Sequence, residues 1–197
     1  THPIPKERIT DARIREENID NQSNYRNSLE FYLVKARAEV ANSKNLNSLK
    51  EFYLSKQKNN DNKIKLYKKY GLSLVLKEQK KYEESFKAAR ELLKEIPSNL
   101  IFQTNILEIH LAEGNSLEAI SVGEKLLNVN SNNFSISYYL AKAYILDNNP
   151  EKAEEILINL SKENPRDPTV WYELAEAQGL AGNIIGLHRS RAEYFIL

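Results

Sequence analysis

The chain contains no cysteine and no methionine, carries almost no net charge, and has no long apolar run. Without cysteine it can form no disulfide, no Cys-ligated zinc site and no thiol nucleophile. A net charge of +1 favours neither a nucleic acid nor a membrane surface as a partner. No apolar stretch approaches the roughly 18 residues that a membrane-spanning helix requires. We therefore expect no nucleic-acid partner and no transmembrane segment.

The usual signatures of catalytic and cofactor sites are also missing. None of the three histidines belongs to a His-Glu-x-x-His motif or to another two-histidine pair at helical spacing. No Gly-rich phosphate loop and no Gly-x-Ser-x-Gly turn is present. We predict that His110 is a neutral, hydrogen-bonded core residue and that His188 is solvated. The sequence thus predicts that this chain is not an enzyme and binds no cofactor itself.

A 34-residue period, repeated four times without an insertion or a deletion, is the strongest pattern that the sequence does contain. Its units are residues 66–99, 100–133, 134–167 and 168–197. The seventh position of each unit is apolar: Leu72, Ile106, Leu140 and Leu174. The eighth position is mostly small: Ser73, Leu107, Ala141 and Ala175. The twentieth position is also mostly small: Ser85, Ala119, Ala153 and Leu187. This pattern is typical of the tetratricopeptide repeat (TPR), a pair of antiparallel helices. It predicts an all-α solenoid of helical hairpins with a concave groove that binds a protein or an unfolded polypeptide.

Turn and linker residues divide the chain into three parts. Residues 1–27 are expected to be an N-terminal extension with a linker helix. Residues 28–63 are expected to form a degenerate hairpin, whose first helix carries Phe31, Val34, Ala38 and Ala41 at helical spacing. Its last residues, 58–63, are expected to be a flexible connection. Residues 64–197 hold the four regular TPR units, and Gly123 within them is expected to mark a close approach to the next repeat.

The second, fifth, ninth and twelfth positions of the first helix line the concave face in TPR hairpins. On this basis we predict a protein-binding groove lined by Tyr67, Tyr70, Glu108, Tyr138, Lys142, Tyr172 and Glu176. The carboxylate clamp of chaperone-binding TPR proteins is not matched, because Tyr70 and Leu74 stand where a Lys and an Asn are needed. Residues 44–95 carry 14 basic and 7 acidic residues, whereas residues 96–165 carry 4 basic and 9 acidic ones. Such an uneven charge distribution can orient a partner.

Four segments carry a resemblance to a known protein family. They are Thr1-His2-Pro3-Ile4-Pro5-Lys6-Glu7-Arg8-Ile9-Thr10-Asp11-Ala12-Arg13, Phe31-Tyr32-Leu33-Val34-Lys35-Ala36-Arg37-Ala38, Asp167-Pro168-Thr169-Val170-Trp171 and Arg191-Ala192-Glu193-Tyr194-Phe195. Together they resemble the C-terminal tail of periplasmic zinc metallopeptidases that combine a His-Glu-x-x-His protease domain with TPR units. The first segment, which is similar to the end of the protease domain in that family, is the most specific of the four.

The resemblance implies a periplasmic protein whose zinc-dependent protease domain acts on misassembled outer-membrane proteins. It implies that the present chain docks substrates or the outer-membrane β-barrel assembly machinery without performing the chemistry. It also implies that His2, in the loop that follows the protease domain, caps the zinc ion and restrains the enzyme. A free-standing TPR adaptor of a secretion or pilus assembly complex is the alternative that the repeats alone leave open.

Overall fold

The computed structural model describes residues 28–55 and 61–197, and every regular element within these two ranges is an α-helix. The helices are α1 (Leu29–Ala41), α2 (Leu46–Leu54), α3 (Asn62–Glu78), α4 (Tyr82–Glu95), α5 (Leu100–Glu113), α6 (Ser116–Val129), α7 (Phe134–Leu146), α8 (Pro150–Glu163), α9 (Pro168–Leu180) and α10 (Ile184–Ile196). The prediction of an all-α TPR solenoid is confirmed. The expected linker helix within residues 1–27 and part of the 58–63 connection lie outside the described residues. Among the described helices, none is long and apolar enough to cross a membrane.

From α3 to α10 consecutive helices pack against each other, and the first helix of each hairpin also packs on that of the hairpin before it, whereas α1 and α2 both pack on α3. The helix starts repeat with the 34-residue period. Asn99, Asn133 and Asp167 each precede the first helix of a unit, and each side chain accepts a hydrogen bond from a backbone N–H in the first helical turn. These caps satisfy backbone donors that would otherwise lack partners. The cap at the end of one unit therefore begins the helix of the next.

The turn inside each regular hairpin uses one residue in the left-handed backbone conformation, always at position 15 of the unit. These residues are Lys80 (φ 59°), Gly114 (φ 91°), Asn148 (φ 56°) and Gly182 (φ 75°). In all four turns the following residue donates its N–H to the carbonyl five residues earlier, at 2.8–2.9 Å. This hydrogen bond closes a Schellman motif, which favours glycine or asparagine at the left-handed position. Lys80 is the one residue of the four whose side chain is poorly suited to it.

Small and polar residues allow the two helices of a hairpin to approach closely. Ser73 and Ser85 are fully buried, and the Ser85 hydroxyl donates to the Ser73 carbonyl oxygen at 2.8 Å. Asn105 from the next hairpin donates its amide to the Ser73 hydroxyl, also at 2.8 Å. A Cβ atom at Gly123 would lie 3.0 Å from Cδ1 of Leu140, so the predicted close approach to the next repeat is confirmed. Repeats thus contact one another through backbone-near atoms as well as through apolar side chains.

The first helix of the degenerate hairpin buries one of its faces. Leu33, Ala36 and Val40 of α1 form the buried face, whereas Phe31, Val34, Ala38 and Ala41 are all exposed. Helix α1 packs against α3, and the exposed row lies away from its buried face.

The two repeat histidines have different surroundings. His188 is exposed, as predicted. His110 is half-buried with its ring centroid 4.6 Å from that of Phe86, and its Nδ1 atom is buried without a hydrogen-bond partner. The prediction of a hydrogen-bonded core histidine is therefore wrong. Burial lowers the pKa of His110 and favours its neutral form, with nearby Glu118 and Glu113 opposing the shift.

Lys80→Gly should stabilise the protein by about 0.5–1 kcal/mol, because glycine adopts the left-handed conformation without the penalty of a Cβ atom. Gly114→Ala, at the equivalent position of the next hairpin, should destabilise it by roughly 1–2 kcal/mol. Urea unfolding followed by circular dichroism measures both changes. If Lys80→Gly lowered the free energy of unfolding, the equivalence of the turns would be refuted.

Gly71→Ala should destabilise the protein by about 1–3 kcal/mol although alanine is the better helix former. A Cβ atom at Gly71 would lie 2.2 Å from Cζ of Tyr53, whose buried ring covers the glycine and whose hydroxyl donates to Glu39 at 2.7 Å. Gly179→Ala is the matched control, because the new Cβ would meet only Leu187, at an ordinary 3.8 Å. It should stabilise the helix by up to about 1 kcal/mol. Thermal unfolding measures both variants, and midpoint temperatures that shift in the same direction would contradict this packing.

Candidate functional site: the concave face of the solenoid

The first two predicted groove residues, Tyr67 and Tyr70, are buried rather than available to a partner. Tyr67 is 3% exposed and donates its hydroxyl to Glu39 at 2.5 Å, while Tyr70 is 0% exposed. Helix α1 covers both rings: the ring of Tyr32 lies 5.6 Å from that of Tyr67, and Cζ of Arg37 lies 5.7 Å from the centre of the Tyr70 ring. The expectation that these two tyrosines contact a ligand is corrected, because the degenerate hairpin occupies the space in front of them.

Glu108 is also buried, and it joins three of the helices that form the concave face. Both carboxylate oxygens accept from the guanidinium of Arg37 on α1, and Oε2 also accepts from Nζ of Lys77 on α3 at 3.0 Å. Burial would raise the pKa of Glu108, but Lys77 and Arg37 outweigh it and lower the pKa below its ordinary value of 4.5. Glu108 is therefore a charged structural residue, and its predicted direct contact with a ligand is corrected as well.

Other residues line the open space at this end of the groove. A cavity of about 580 Å³ lies between the end of α1, the end of α3 and the middle of α7. Its apolar wall is formed by Val40, Leu46 and Leu74. Its polar wall combines the cations Arg37 and Lys77 with the carboxylates Glu78 and Glu108, together with Ser43 and Tyr139. The side chain of Arg37 is 37% exposed, so part of its guanidinium faces the cavity. This combination of an apolar wall with both cationic donors and carboxylate acceptors suits the side chains and the backbone of a polypeptide.

The middle of the concave face carries a second cluster, built from two predicted residues and one that was not predicted. Lys142 donates to Oε1 of Glu173 at 2.6 Å, and the hydroxyl of Tyr138 donates to the same oxygen at 3.0 Å. Tyr138 stacks on Phe134 with the two rings 9° from parallel. Both Tyr138 and Lys142 are half-buried, so the structure places them at an accessible edge of the groove. Burial raises the pKa of Tyr138 and its hydrogen bond to Glu173 adds to the shift, so the phenol stays protonated.

The last two predicted groove residues, Tyr172 and Glu176, lie on the final hairpin and are both exposed. They line a cavity of about 260 Å³ between α9 and α10, together with Ala175, Leu187, Arg191 and Tyr194. The rings of Tyr172 and Tyr194 are 5.7 Å apart at 59°. Within the part of the chain that the structure describes, neither Glu176 nor Arg191 forms a salt bridge. Aromatic rings and free charges are therefore available at this end.

Sequence reasoning missed Arg37 and Glu173, although a signal for one of them exists. Lys77 pairs with Glu108 and Lys142 pairs with Glu173, and both pairs are separated by 31 residues. A spacing three residues short of the period means that successive first helices are offset by about one turn. A search of the sequence for a lysine followed 31 residues later by a glutamate could have identified Glu173 as the partner of Lys142. No comparable spacing identifies Arg37, because it reaches past α3 to a helix two hairpins away.

Metal binding finds no support in the described side chains. Residues 28–55 and 61–197 contain no group of three or more His, Asp or Glu side chains that could hold a metal ion. His2, the predicted zinc-capping residue, lies outside the described residues, and its role stays a prediction.

Glu108→Gln should destabilise the protein by about 3–5 kcal/mol, because it leaves Arg37 and Lys77 close together without their buried counter-ion. Glu78→Gln is the matched control: Glu78 also lies near Lys77, at 3.7 Å, but its side chain is 51% exposed. The control should change stability by less than about 1 kcal/mol.

Urea unfolding at a series of pH values measures the role of Glu108. Because folding lowers the pKa of Glu108, its contribution is present above the ordinary value of 4.5 and is lost as the pH falls through the folded-state pKa. Glu108→Gln should flatten the loss of stability in that acid range. If Glu108→Gln and Glu78→Gln lowered the free energy of unfolding equally at neutral pH, the buried carboxylate would contribute no more to stability than the exposed one.

Comparison with known proteins agrees with the repeat pattern. A tetratricopeptide-repeat family profile matches residues 110–178. A kinesin light chain protein of Podosopora anserina with TPR-like repeats shares the fold with a TM-score of 0.62 and 15% identity, over 85% of this chain and 93% of that one. A tetratricopeptide repeat protein from Parabacteroides merdae has a TM-score of 0.61 and 17% identity, over 95% of this chain and 69% of that one. MamA from Desulfovibrio magneticus RS-1 has a TM-score of 0.56 and 18% identity, over 85% of this chain and 91% of that one. At these identities the likeness concerns the fold alone.

Similarity to curated proteins extends over all of the chain. The β-barrel assembly-enhancing protease of Escherichia coli (strain K12) is 28% identical over 197 residues, which cover 100% of this chain and 40% of that protein. Its Yersinia pestis counterpart is 28% identical over 182 residues, or 92% of this chain and 37% of that protein. The chain thus spans about two fifths of the length of these relatives. The chain has the tetratricopeptide-repeat fold and is similar, along its whole length, to part of the β-barrel assembly-enhancing protease.

Proposed function

We propose that this chain is the polypeptide-docking tail of a periplasmic zinc metallopeptidase that acts in the assembly and quality control of outer-membrane proteins. The observation that carries the proposal is the similarity of all 197 residues to a protease whose name links it to β-barrel assembly. The TPR fold, which is a protein-interaction fold, supports a docking role for this part of the molecule. Proteolysis would belong to a domain outside this chain, where the zinc ion would also be bound.

The concave face supplies the chemistry that such docking needs. At one end the wall of the 580 Å³ cavity combines Val40 and Leu74 with Arg37, Lys77 and the aromatic ring of Tyr139. Apolar side chains of an extended segment can bury surface there, while its polar groups meet the cations Arg37 and Lys77 and the carboxylate of Glu78. Several weak contacts of this kind suit partly folded substrates of varied sequence.

The alternative, a free-standing TPR adaptor of a secretion or pilus assembly complex, would use the same groove for a different partner. The two proposals differ in what the groove captures in the cell and in whether a His-Glu-x-x-His segment precedes Thr1 in the gene. The whole-chain similarity favours the protease tail.

Photo-crosslinking in cells tests the proposal. A photoreactive phenylalanine analogue at Tyr139, which lines the large cavity, should capture outer-membrane β-barrel proteins or components of their assembly machinery. The same analogue at Val129, which is 84% exposed at the end of α6, is the control and should capture them at least about tenfold less.

Two results would refute this function. Capture of secretion or pilus components alone would support the adaptor, and equal capture from Tyr139 and Val129 would show that the concave face is not the docking surface.

A further inference from the structure

The Arg37 guanidinium offers a ligand only part of its surface inside the 580 Å³ cavity of the concave face. Its edge is occupied by Glu108, because Nη1 and Nη2 each donate to one oxygen of that carboxylate. One of its sides is occupied by Tyr70, whose ring centre lies 5.7 Å from Cζ of Arg37. Tyr70 is fully buried, whereas the Arg37 side chain is 37% exposed and lines the cavity. A ligand therefore reaches the guanidinium from the side that faces away from Tyr70.

The charges around Arg37 give a ligand carboxylate little advantage at this position. Arg37 already has a counter-ion in Glu108, and Lys77, whose side chain is 14% exposed, holds the same carboxylate at 3.0 Å. Glu78 lines the same cavity and is 51% exposed, so it would repel an incoming anion. Two cations and two carboxylates thus largely cancel one another's attraction for a charged ligand group. An uncharged group loses nothing to this balance.

A flat apolar group fits what the cavity wall leaves available. Val40 and Leu74 supply an aliphatic surface, and Tyr139 supplies an aromatic ring beside it. An aromatic side chain can bury about 150–250 Å² of its own surface in such a site. Its electron-rich face is also attracted to a cation within about 6 Å, which is the contact that Arg37 already makes with Tyr70. A second ring on the open side would place the guanidinium between two rings, whereas an aliphatic side chain would gain only the burial.

We propose that polypeptides docked on the concave face insert an aromatic side chain into this cavity, against the side of Arg37 that faces away from Tyr70. The preferred ligands are therefore extended segments that carry phenylalanine, tyrosine or tryptophan. This preference rests on the polypeptide-docking function proposed for the concave face, and it specifies which side chain the groove selects.

NMR titration with two small probes tests the preference. N-acetyl-phenylalaninamide carries the aromatic ring, and N-acetyl-cyclohexylalaninamide has the same skeleton with a saturated ring that lacks a π-electron face. The phenyl probe should bind in the cavity about two- to fivefold more tightly, because only its ring is attracted to the cation. Hydrophobic burial alone would give the opposite order, since the saturated ring is the more apolar one. The Nε–H proton of Arg37 should shift upfield with the phenyl probe only, because it would lie over the face of that ring.

Two arginine substitutions provide the matched comparison. Arg37→Lys should abolish the preference for the phenyl probe, because a compact, strongly hydrated ammonium held by Glu108 offers no flat surface to a ring. In the control Arg90→Lys, Cζ of the arginine also lies over an aromatic ring, 5.6 Å from the centre of Phe86, but Arg90 does not line the cavity. This control should leave the preference unchanged. The same NMR spectra show whether each variant is folded.

Three results would overturn the aromatic preference: equal binding of the two probes, tighter binding of the saturated probe, or no saturable binding in the cavity. Each of them would leave the docking function standing, because photo-crosslinking from Tyr139 measures the capture of whole polypeptides whichever side chain enters the cavity. A phenyl preference that disappeared with Arg90→Lys as well as with Arg37→Lys would likewise contradict a contact at Arg37.

Discussion

A helical hairpin of this length cannot bury its apolar face by itself, and the need for a neighbour governs the rest of the structure. Each regular hairpin offers its successor a slot between its two helices, and the successor fills it with one face of its first helix. The requirement holds at every junction, which explains why no insertion or deletion interrupts the period. It also explains why caps and left-handed turns recur at fixed positions, since a shift of one residue would rotate a helix by about 100°.

The concave face illustrates how stacking creates a binding surface and also removes part of it. The same offset that brings Lys142 to Glu173 brings Lys77 to Glu108, but at the second pair Arg37 is added from the degenerate hairpin. Two cations on one buried carboxylate join α1, α3 and α5 at this end. Burying the charges is costly, and the cost is offset because all three groups find charged hydrogen-bond partners.

The degenerate hairpin has the largest effect on which groups the concave face exposes. It shields Tyr67 and Tyr70 from solvent and shapes the cavity in which Arg37 and Tyr139 become the accessible groups. A groove of four regular repeats would have presented a row of tyrosines, whereas the observed groove presents cations at one end and aromatic rings at the other. The chemistry offered to a partner is therefore set by a hairpin that departs from the repeat pattern.

Local and periodic properties of this protein were determined by its sequence. The 34-residue period, the cap residues and the turn residues predict ten helices in the described ranges and their order of stacking, because they depend on backbone geometry and on residues close in sequence. Which side chains line the groove was decided by tertiary structure. Whether Tyr70 is exposed depends on a helix about 35 residues away, and Arg37 meets Glu108 across 71 residues. Such contacts arise from the way whole hairpins stack, so no local pattern in the sequence specifies them.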